Sequence, residues 1–457
     1  MSHFIVADHK TAYLLPPSLD DWLNEDHLAR FVVEVVDQLD LSNLIRQYTG
    51  RSSKAHHPAT LLAILVYGYA TGIFSSRRLE RATYDSVAFR YIAAGSHPDH
   101  DTLATFRRRF LGELEGLFVQ VLELAREMKL LKLGTVCLDG TKVHANASRH
   151  SALSHGHIEK LEARLHAEVE ELFALAESAD QADIPDGVSL PNEIKRREDR
   201  LAVMAAAKVK IAARAAQRYQ REQAEYAEKM ARRAAKAAET GQTPGGKLPG
   251  APEPGPKDSD QINLTDEESR IMPVAGGGFE QAYNAQAAVD ATTMLVIGTG
   301  VTQAPNDKEQ VKPMLETLAT QAQALGKVDC LLADTGFFSE TNVRACAAAR
   351  IEPLIAIARD EHHPGWRERH SEPASLPDHA TAAQTMSHRL KTKTGRACYA
   401  LRKQTVEPVF GIIKSVMGFR QFSLRGLEKV RGEWRLVCLA WNFKRLAVLR
   451  QKFVQYA

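Results

Sequence analysis

At 457 residues, with 44% hydrophobic and 25% charged side chains, the chain has material for two or three domains of about 150 residues, which excludes a disordered or fibrous protein. The formal net charge of +3 singles out no partner, but from Arg389 onward basic residues far outnumber Glu407, Glu428 and Glu433, a bias that points to a polyanion such as DNA or RNA. Five scattered cysteines without a C-x-x-C pair argue against structural zinc and fit a reducing cytoplasm; the first residues lack the pattern of a secretory leader, and the most apolar stretch, 59–74, is too short to span a membrane.

Residues 18–130 read as all-helical. Asp20-Asp21 is expected to cap a helix with apolar positions at Trp22, Leu28, Phe31, Val32, Val35 and Val36. Pro58 opens a second helix that Gly72 closes, and a third starts near Ser75-Ser76. Asp101-Thr102 is expected to cap a fourth, carrying Arg107 and Arg108. Short helices ending in a basic one are compatible with a helix-turn-helix-like contact to DNA, with Arg107 and Arg108 as the candidate readers.

At Thr135 the texture changes. Thr135–Leu138 is β-prone, Asp139-Gly140 is a turn dipeptide, and Thr141–His144 is a second extended stretch. From about 157 to 239 the chain is helical again. Ile158, Leu161, Leu165, Val169, Leu172 and Leu175 form a coiled-coil-type seam, Ile184-Pro-Asp-Gly187 breaks it, and a second long helix follows from about Asn192, so an antiparallel hairpin is expected. Its basic face (Lys208, Lys210, Arg214, Arg218, Arg221) either tracks DNA phosphates or is solvated. Gly241 to Asp260, rich in Pro and Gly, is a loop or linker.

After Gly276-Gly-Gly278, Phe279–Val289 and Met294–Val301 suggest a hairpin. A helix is expected over Asp307–Leu325, a strand over Val328–Ala333 ending in Asp334, a helix capped by Ser339, and a strand over Pro353–Ile357. Residues 359–395 look irregular. A helix is expected to begin at Thr405 as N-cap, with Pro408 tolerated in its first turn. The helix 432–450, with Trp434, Val437, Cys438 and Trp441, is expected to pack on the sheet rather than on a membrane. Strands followed by βαβ units imply a mixed sheet with helices against it, the order seen in RNase H-like folds.

Cleaving a phosphodiester requires an activated oxygen nucleophile and stabilisation of charge on the phosphate and the leaving oxygen. Two divalent ions held by hard oxygen ligands supply both. Asp139 and Asp334 end apolar strands that this order places side by side, and Glu407 lies seven residues, hence about two turns, before Lys414 on the same helix face. Each has an ordinary alternative: a turn residue, a cap, or a first-turn glutamate favouring the helix dipole.

With these residues placed, the chain resembles bacterial insertion-sequence transposases of the DDE class, whose third acidic motif reads Tyr-x2-Arg-x3-Glu-x6-Lys. Glu407 and Lys414 match. The Arg place is Lys403 and the Tyr place Ala400, with Arg402 and Tyr399 each one residue early. Leu138–Lys142 is similar to the first motif and Ala333–Phe337 to the second. Asn263–Met272, Gly278–Asp290, Arg425–Trp434 and Pro98–Arg107 resemble further segments, in order along almost the whole chain.

The resemblance implies an RNase H-like catalytic core with a mixed five-stranded sheet over 131–146 and 276–457, an N-terminal all-helical DNA-binding domain over 1–130, and a long helical insert with its linker over 147–275 after the first catalytic strand. It implies Asp139, Asp334 and Glu407 as catalytic ligands of two Mg2+ ions, with Mn2+ as a substitute, and Lys414, Lys403 and Arg402 beside the DNA. Asp290, at a strand end, ranks below the three acids. It further implies binding of terminal inverted repeats, 3′-hydroxyl strand transfer into target DNA, a homodimer or larger assembly on DNA, and a bacterial cytoplasmic, nucleoid-associated location. The carboxylates alone leave open an RNase H-like nuclease without strand transfer, and a non-catalytic DNA-binding scaffold.

Overall fold

The computed structural model describes residues 18–48, 55–177, 189–243, 245–274, 276–358, 371–377 and 379–456. Two compact units are present: Met1–Asn146 with Met272–Ala457, and Ala147–Ile271. Among the described residues the first begins with the helices α1 (Leu28–Asp37), α2 (Ser42–Arg46), α3 (Pro58–Ala70), α4 (Ser76–Asp85), α5 (Val87–Ile92), α6 (His100–Arg109) and α7 (Leu114–Glu127). Asp20-Asp21 lies in a short 3-10 turn, and the cap of α1 is His27, whose side chain accepts from the Ala29 N–H. The cap of α6 is likewise Asp99, two residues before Asp101, accepting from Thr102 at 2.6 Å. Asp101 itself lies in the first turn of α6. Helix α3 is buried on every side from Leu61 to Ala70, which explains its lack of polar positions.

Asp139-Gly140 does not turn. A single ten-residue strand, β1 (Thr135–His144), runs straight through it, paired antiparallel with the strand at Ala282–Asp290 along its length. Tertiary pairing overrides the local turn preference, and the glycine serves close packing instead, as the site shows below.

The insert unit holds a short strand β2 (Ala152–Ser154), helix α8 (His155–Glu177), the 51-residue helix α9 (Leu190–Thr240) and a strand β3 (Gln261–Asn263) paired antiparallel with β2. The Ile184–Gly187 break lies outside the described residues. Ion pairs Glu162–Lys208 and Glu168–Arg197 show that α8 and α9 run antiparallel. Ile158, Leu165, Met204, Ala207, Ile211 and Ile262 form their core. Four of the five residues of the basic face of α9 are engaged within the unit, Lys208 by Glu162. Lys210 pairs with Glu267 at 2.6 Å, Arg214 donates to the Glu267 carbonyl, and Arg218 pairs with Asp260 at 2.6 Å and donates to the Gly255 carbonyl. Arg233 donates to the carbonyls of Gly245 and Gly246, so the Pro/Gly-rich segment runs back along α9.

The chain returns through β4 (Arg270–Pro273), then β5 (Phe279–Asp290), β6 (Val296–Thr302), α10 (Val311–Leu325), β7 (Cys330–Ala333), α11 (Glu340–Ala348), β8 (Glu352–Ile355), α12 (Ala382–Lys391), α13 (Lys393–Gly411) and α14 (Leu427–Tyr456). Among the described residues the sheet has six strands rather than five. Its path is β4-β5-β1-β7-β8, with β6 also on β5; β1, β7 and β8 are parallel, while β5 is antiparallel to β1 and β6. Part of the stretch expected to be irregular is helical: α12 opens with a Thr381/Gln384 capping box. Helix α13 begins at Lys393 with Thr392 as its cap, so Thr405 and Pro408 lie inside it and Glu407 is not in its first turn. The Thr405 hydroxyl instead donates to the Leu401 carbonyl one turn back, and the helix passes into a π turn at Ile412–Val416.

Helix α14 packs on the sheet, as expected. Trp434 is fully buried and donates to the Gln286 carbonyl at 2.9 Å, and Asn442 bonds both the N–H and the carbonyl of Val296. No helix among the described residues is long and apolar enough to cross a membrane.

Candidate active site

The parallel register Cys137↔Leu332 puts Asp139 and Asp334 level, each two residues past the last β1–β7 pair; Asp334 follows the end of β7, while Asp139 lies within β1, which runs on to His144. Helix α13 crosses the sheet at this level. Its buried stripe of Thr405, Val406, Val409 and Ile413 continues one turn back to Arg402. The Arg402 guanidinium enters between the acids: Nη2 is 3.2 Å from Asp139 Oδ2 and 3.5 Å from Asp334 Oδ2, and Nη1 is 3.0 Å from Glu407 Oε1. Three carboxylates from three elements thus surround one cation. Asp334 is held by the Gly336 N–H at 2.8 Å and Asp139 by the Gly140 N–H at 2.8 Å.

Burial pushes the Asp139 carboxyl up to about 6; Arg402 opposes this, and the neighbouring charges of Asp334 and Asp307 add to it. Burial also lowers Lys142, whose ammonium is held up by Asp307, Asp139 and Asp334. Lys414 is lowered by burial and by Lys142; its ammonium donates to the Lys142 carbonyl at 2.7 Å. The donor set is all carboxylate oxygen, suited to Mg2+ or Mn2+ rather than to zinc. The acids have gathered around a positive charge, and the Arg402 Nε is buried without a partner, so the guanidinium is imperfectly satisfied there. These residues fit divalent ions in its place. The oxygens lie around both guanidinium nitrogens and are therefore more widely spread than around one ion. Among the described residues, the three-residue group with ligand atoms within 4.8 Å of one another lies in the insert: His155, Glu159 and Asp258.

A fourth carboxylate escaped the sequence reading, which took Asp307 as a helix start. It sits in the loop before α10, with Oδ1 accepting from Asn284 Nδ2 at 2.7 Å and Gln286 Nε2 at 2.6 Å, and 4.0 Å from Lys142 Nζ. A Cβ on Gly140 would meet Gln286 Nε2 at 2.3 Å and Asp307 Oδ1 at 2.4 Å, so only glycine fits beside Asp139. One signal was available: Asn284 and Gln286 are polar residues two apart, hence on one face, within the otherwise apolar run 282–289.

Residues 254–443 match the family described as Transposase DDE domain, and residues 17–109 match the Transposase domain (DUF772). The chain belongs to the DDE transposases. No curated protein and no solved structure matches it. The first match contains Asp307, Asp334, Arg402, Glu407 and Lys414, while Asp139 lies between the two matched segments.

Other residues singled out in the sequence fall differently in the transposase. Lys403 is exposed one step off the buried stripe, so Arg402 takes the place by the acids. Arg107 turns inward, its Nη1 donating to the Tyr69 hydroxyl and the Phe74 carbonyl, each at 2.9 Å. Tyr69 in turn donates to Glu433, a buried carboxylate that also accepts from the N–H groups of Ser423 and Leu424. Arg107 is therefore a tie between helices rather than an exposed reader, whereas Arg108 is exposed. Asp290 lies at the far end of β5 and closes the turn by accepting from Thr292 and Thr293.

Proposed function

We propose that this transposase binds the terminal inverted repeats of an insertion sequence and catalyses metal-dependent strand cleavage and strand transfer. Asp139, Asp334 and Glu407 are the proposed catalytic ligands of two Mg2+ ions, with Mn2+ able to substitute, in an RNase H-like core over 131–146 and 276–457. The observation that carries this reading is the convergence of the three acids on the Arg402 guanidinium. When bound, the ions activate the attacking oxygen and stabilise the leaving one.

The chain's own residues do the rest. The three carboxylates fix the ion positions from a rigid sheet edge and one helix. Arg402, released from them when ions take its place, remains beside the scissile phosphate as a bidentate donor. Lys414 adds a buried positive charge next to Lys142, and exposed Lys403 faces the DNA backbone. The helical region 1–130 is the proposed contact to double-stranded ends, with Arg108 on its surface. The insert and its linker, 147–275, are proposed as a separate unit. Assembly as a homodimer or larger on DNA, in a bacterial nucleoid, completes the reading.

The test is incubation with DNA flanking the transposase's own gene, in Mg2+, with a target plasmid. Cuts at the element ends and joined products are expected for the wild type. Asp139→Asn, Asp334→Asn and Glu407→Gln are each expected to bind the ends without cutting. Cutting without joining would mark a hydrolytic nuclease, and undiminished cutting by any variant would remove that acid from the site.

A further inference from the structure

Helix α4 lies antiparallel to α6. Glu80 accepts from the backbone N–H of His100 at 3.1 Å, and Tyr84 stacks on His97 with ring centroids 3.8 Å apart. Toward the other end, Arg107 Nη1 reaches the carbonyl of Phe74, just before α4. Arg108, near the end of α6, therefore stands beside the start of α4, where Arg77 and Arg78 occupy a first turn that holds no acid. Cations in a first turn oppose the helix dipole, a cost that a bound phosphate offsets. All three arginines are exposed, and among the described residues no carboxylate pairs with any of them. The acids of the pair, Asp85, Asp99 and Asp101, gather at the opposite end. A polyanion is thus drawn to one end of the pair and repelled from the other.

This basic end adjoins the segment that follows Lys414. A Cβ on Gly72, between α3 and α4, would meet the Met417 carbonyl at 2.9 Å, and Phe74 packs edge-on against Phe419 with ring centroids 5.3 Å apart. Exposed Arg420 donates to the Lys414 carbonyl at 3.1 Å. Arg77 follows Gly72 closely enough to lie at most about 18 Å from it, against about 34 Å for one turn of duplex DNA. We propose that Arg77, Arg78 and Arg108 form one phosphate-binding platform that holds the duplex within about one helical turn of the scissile phosphate. This rests on the reading of 1–130 as the contact to double-stranded ends. The DNA backbone passes from the platform by Arg420 to Lys414 and the carboxylates.

The experiment measures the salt dependence of binding by the full chain, in chelator, to a duplex carrying the element end and its flank, together with phosphate-ethylation interference. Arg77→Ala with Arg78→Ala is expected to lower the slope of log K against log salt by about 1.8, about 0.9 for each phosphate released, and Arg108→Ala by about 0.9. Arg77→Lys with Arg78→Lys keeps both charges and is expected to retain the slope. Arg344→Ala, which removes an exposed arginine paired with Glu340 on α11, is expected to change nothing. Interference signals lost in the double alanine variant are expected within roughly ten base pairs of the cut. An unchanged slope in either the double alanine variant or Arg108→Ala alone, or lost signals confined to more distant phosphates, overturns this proposal alone. Unchanged binding in both overturns the reading of 1–130 as the DNA contact, and the platform with it.

Discussion

Ion binding should carry a proton signature set by Asp139. Its carboxyl is pushed up to about 6 by burial, partly offset by Arg402 and reinforced by Asp334 and Asp307, with Lys142 and Glu407 also facing the site. Such a group is about nine-tenths ionised near pH 7 and about one-tenth near pH 5, and only the ionised form ligates a metal. Apparent Mn2+ affinity should therefore fall about tenfold, or about 1.4 kcal/mol, over roughly these two pH units. An ordinary aspartate, titrating near about 3.9, would weaken it by only about a tenth over the same range. Titrations of the full chain at several pH values, with free Mn2+ read by electron paramagnetic resonance, give the slope directly. Affinity that stays flat between roughly pH 5 and pH 7 would refute the reasoning.

The same shift has a stability consequence. A carboxyl raised in the folded state binds its proton more tightly than in the unfolded chain, so stability is lost as pH rises from about 4 through about 6 and stays lost above. Asp139→Asn should then raise the melting temperature in chelator at neutral pH, by up to about 3 kcal/mol of stability less the lost Arg402 contact; calorimetry showing a lower melting temperature would contradict this. Gly140→Ala, whose Cβ would strike Gln286 and Asp307, should cost about 1–3 kcal/mol in urea unfolding and abolish Mn2+ binding. Arg107→Ala should destabilise the fold by about 1–3 kcal/mol by removing the donor to the Tyr69 hydroxyl and the Phe74 carbonyl, while Arg108→Ala leaves stability unchanged and weakens end binding; the reverse pattern in denaturation and binding assays would restore Arg107 as a reader. Replacing Lys208 and Lys210 by Ala should leave the salt dependence of DNA binding within about one unit of slope, because both ammonium groups are paired inside the insert.

Local sequence pattern carried most helices and the longer strands, because burial imposes the period that the residues display. Alternation and apolar runs located β5, β6 and β7; Asp334 stands where the β7 run stops, whereas Asp139 lies inside β1 rather than at its end. What it missed depended on contacts between distant segments. Asp139-Gly140 looks like a turn until β5 pairs through it to His144↔Ala282. Asp307 is a loop residue whose carboxylate is held by two amides about twenty residues upstream. Arg402 was legible in principle: extending the buried stripe Val409, Val406 and Thr405 back one turn reaches it, whereas motif spacing alone favoured Lys403. The basic face of α9 misled in another way, since the acids and carbonyls that engage it arrive from the return segment at 255–267.

The most direct measurement is anomalous diffraction from crystals of the full chain bound to end DNA and soaked in Mn2+. Manganese peaks are expected where Arg402 now stands, ligated by Asp139 with Asp334 and by Glu407, the guanidinium having moved toward the phosphate. Manganese found at His155, Glu159 and Asp258, with Arg402 still locked among the three acids on bound DNA, would contradict the proposed chemistry.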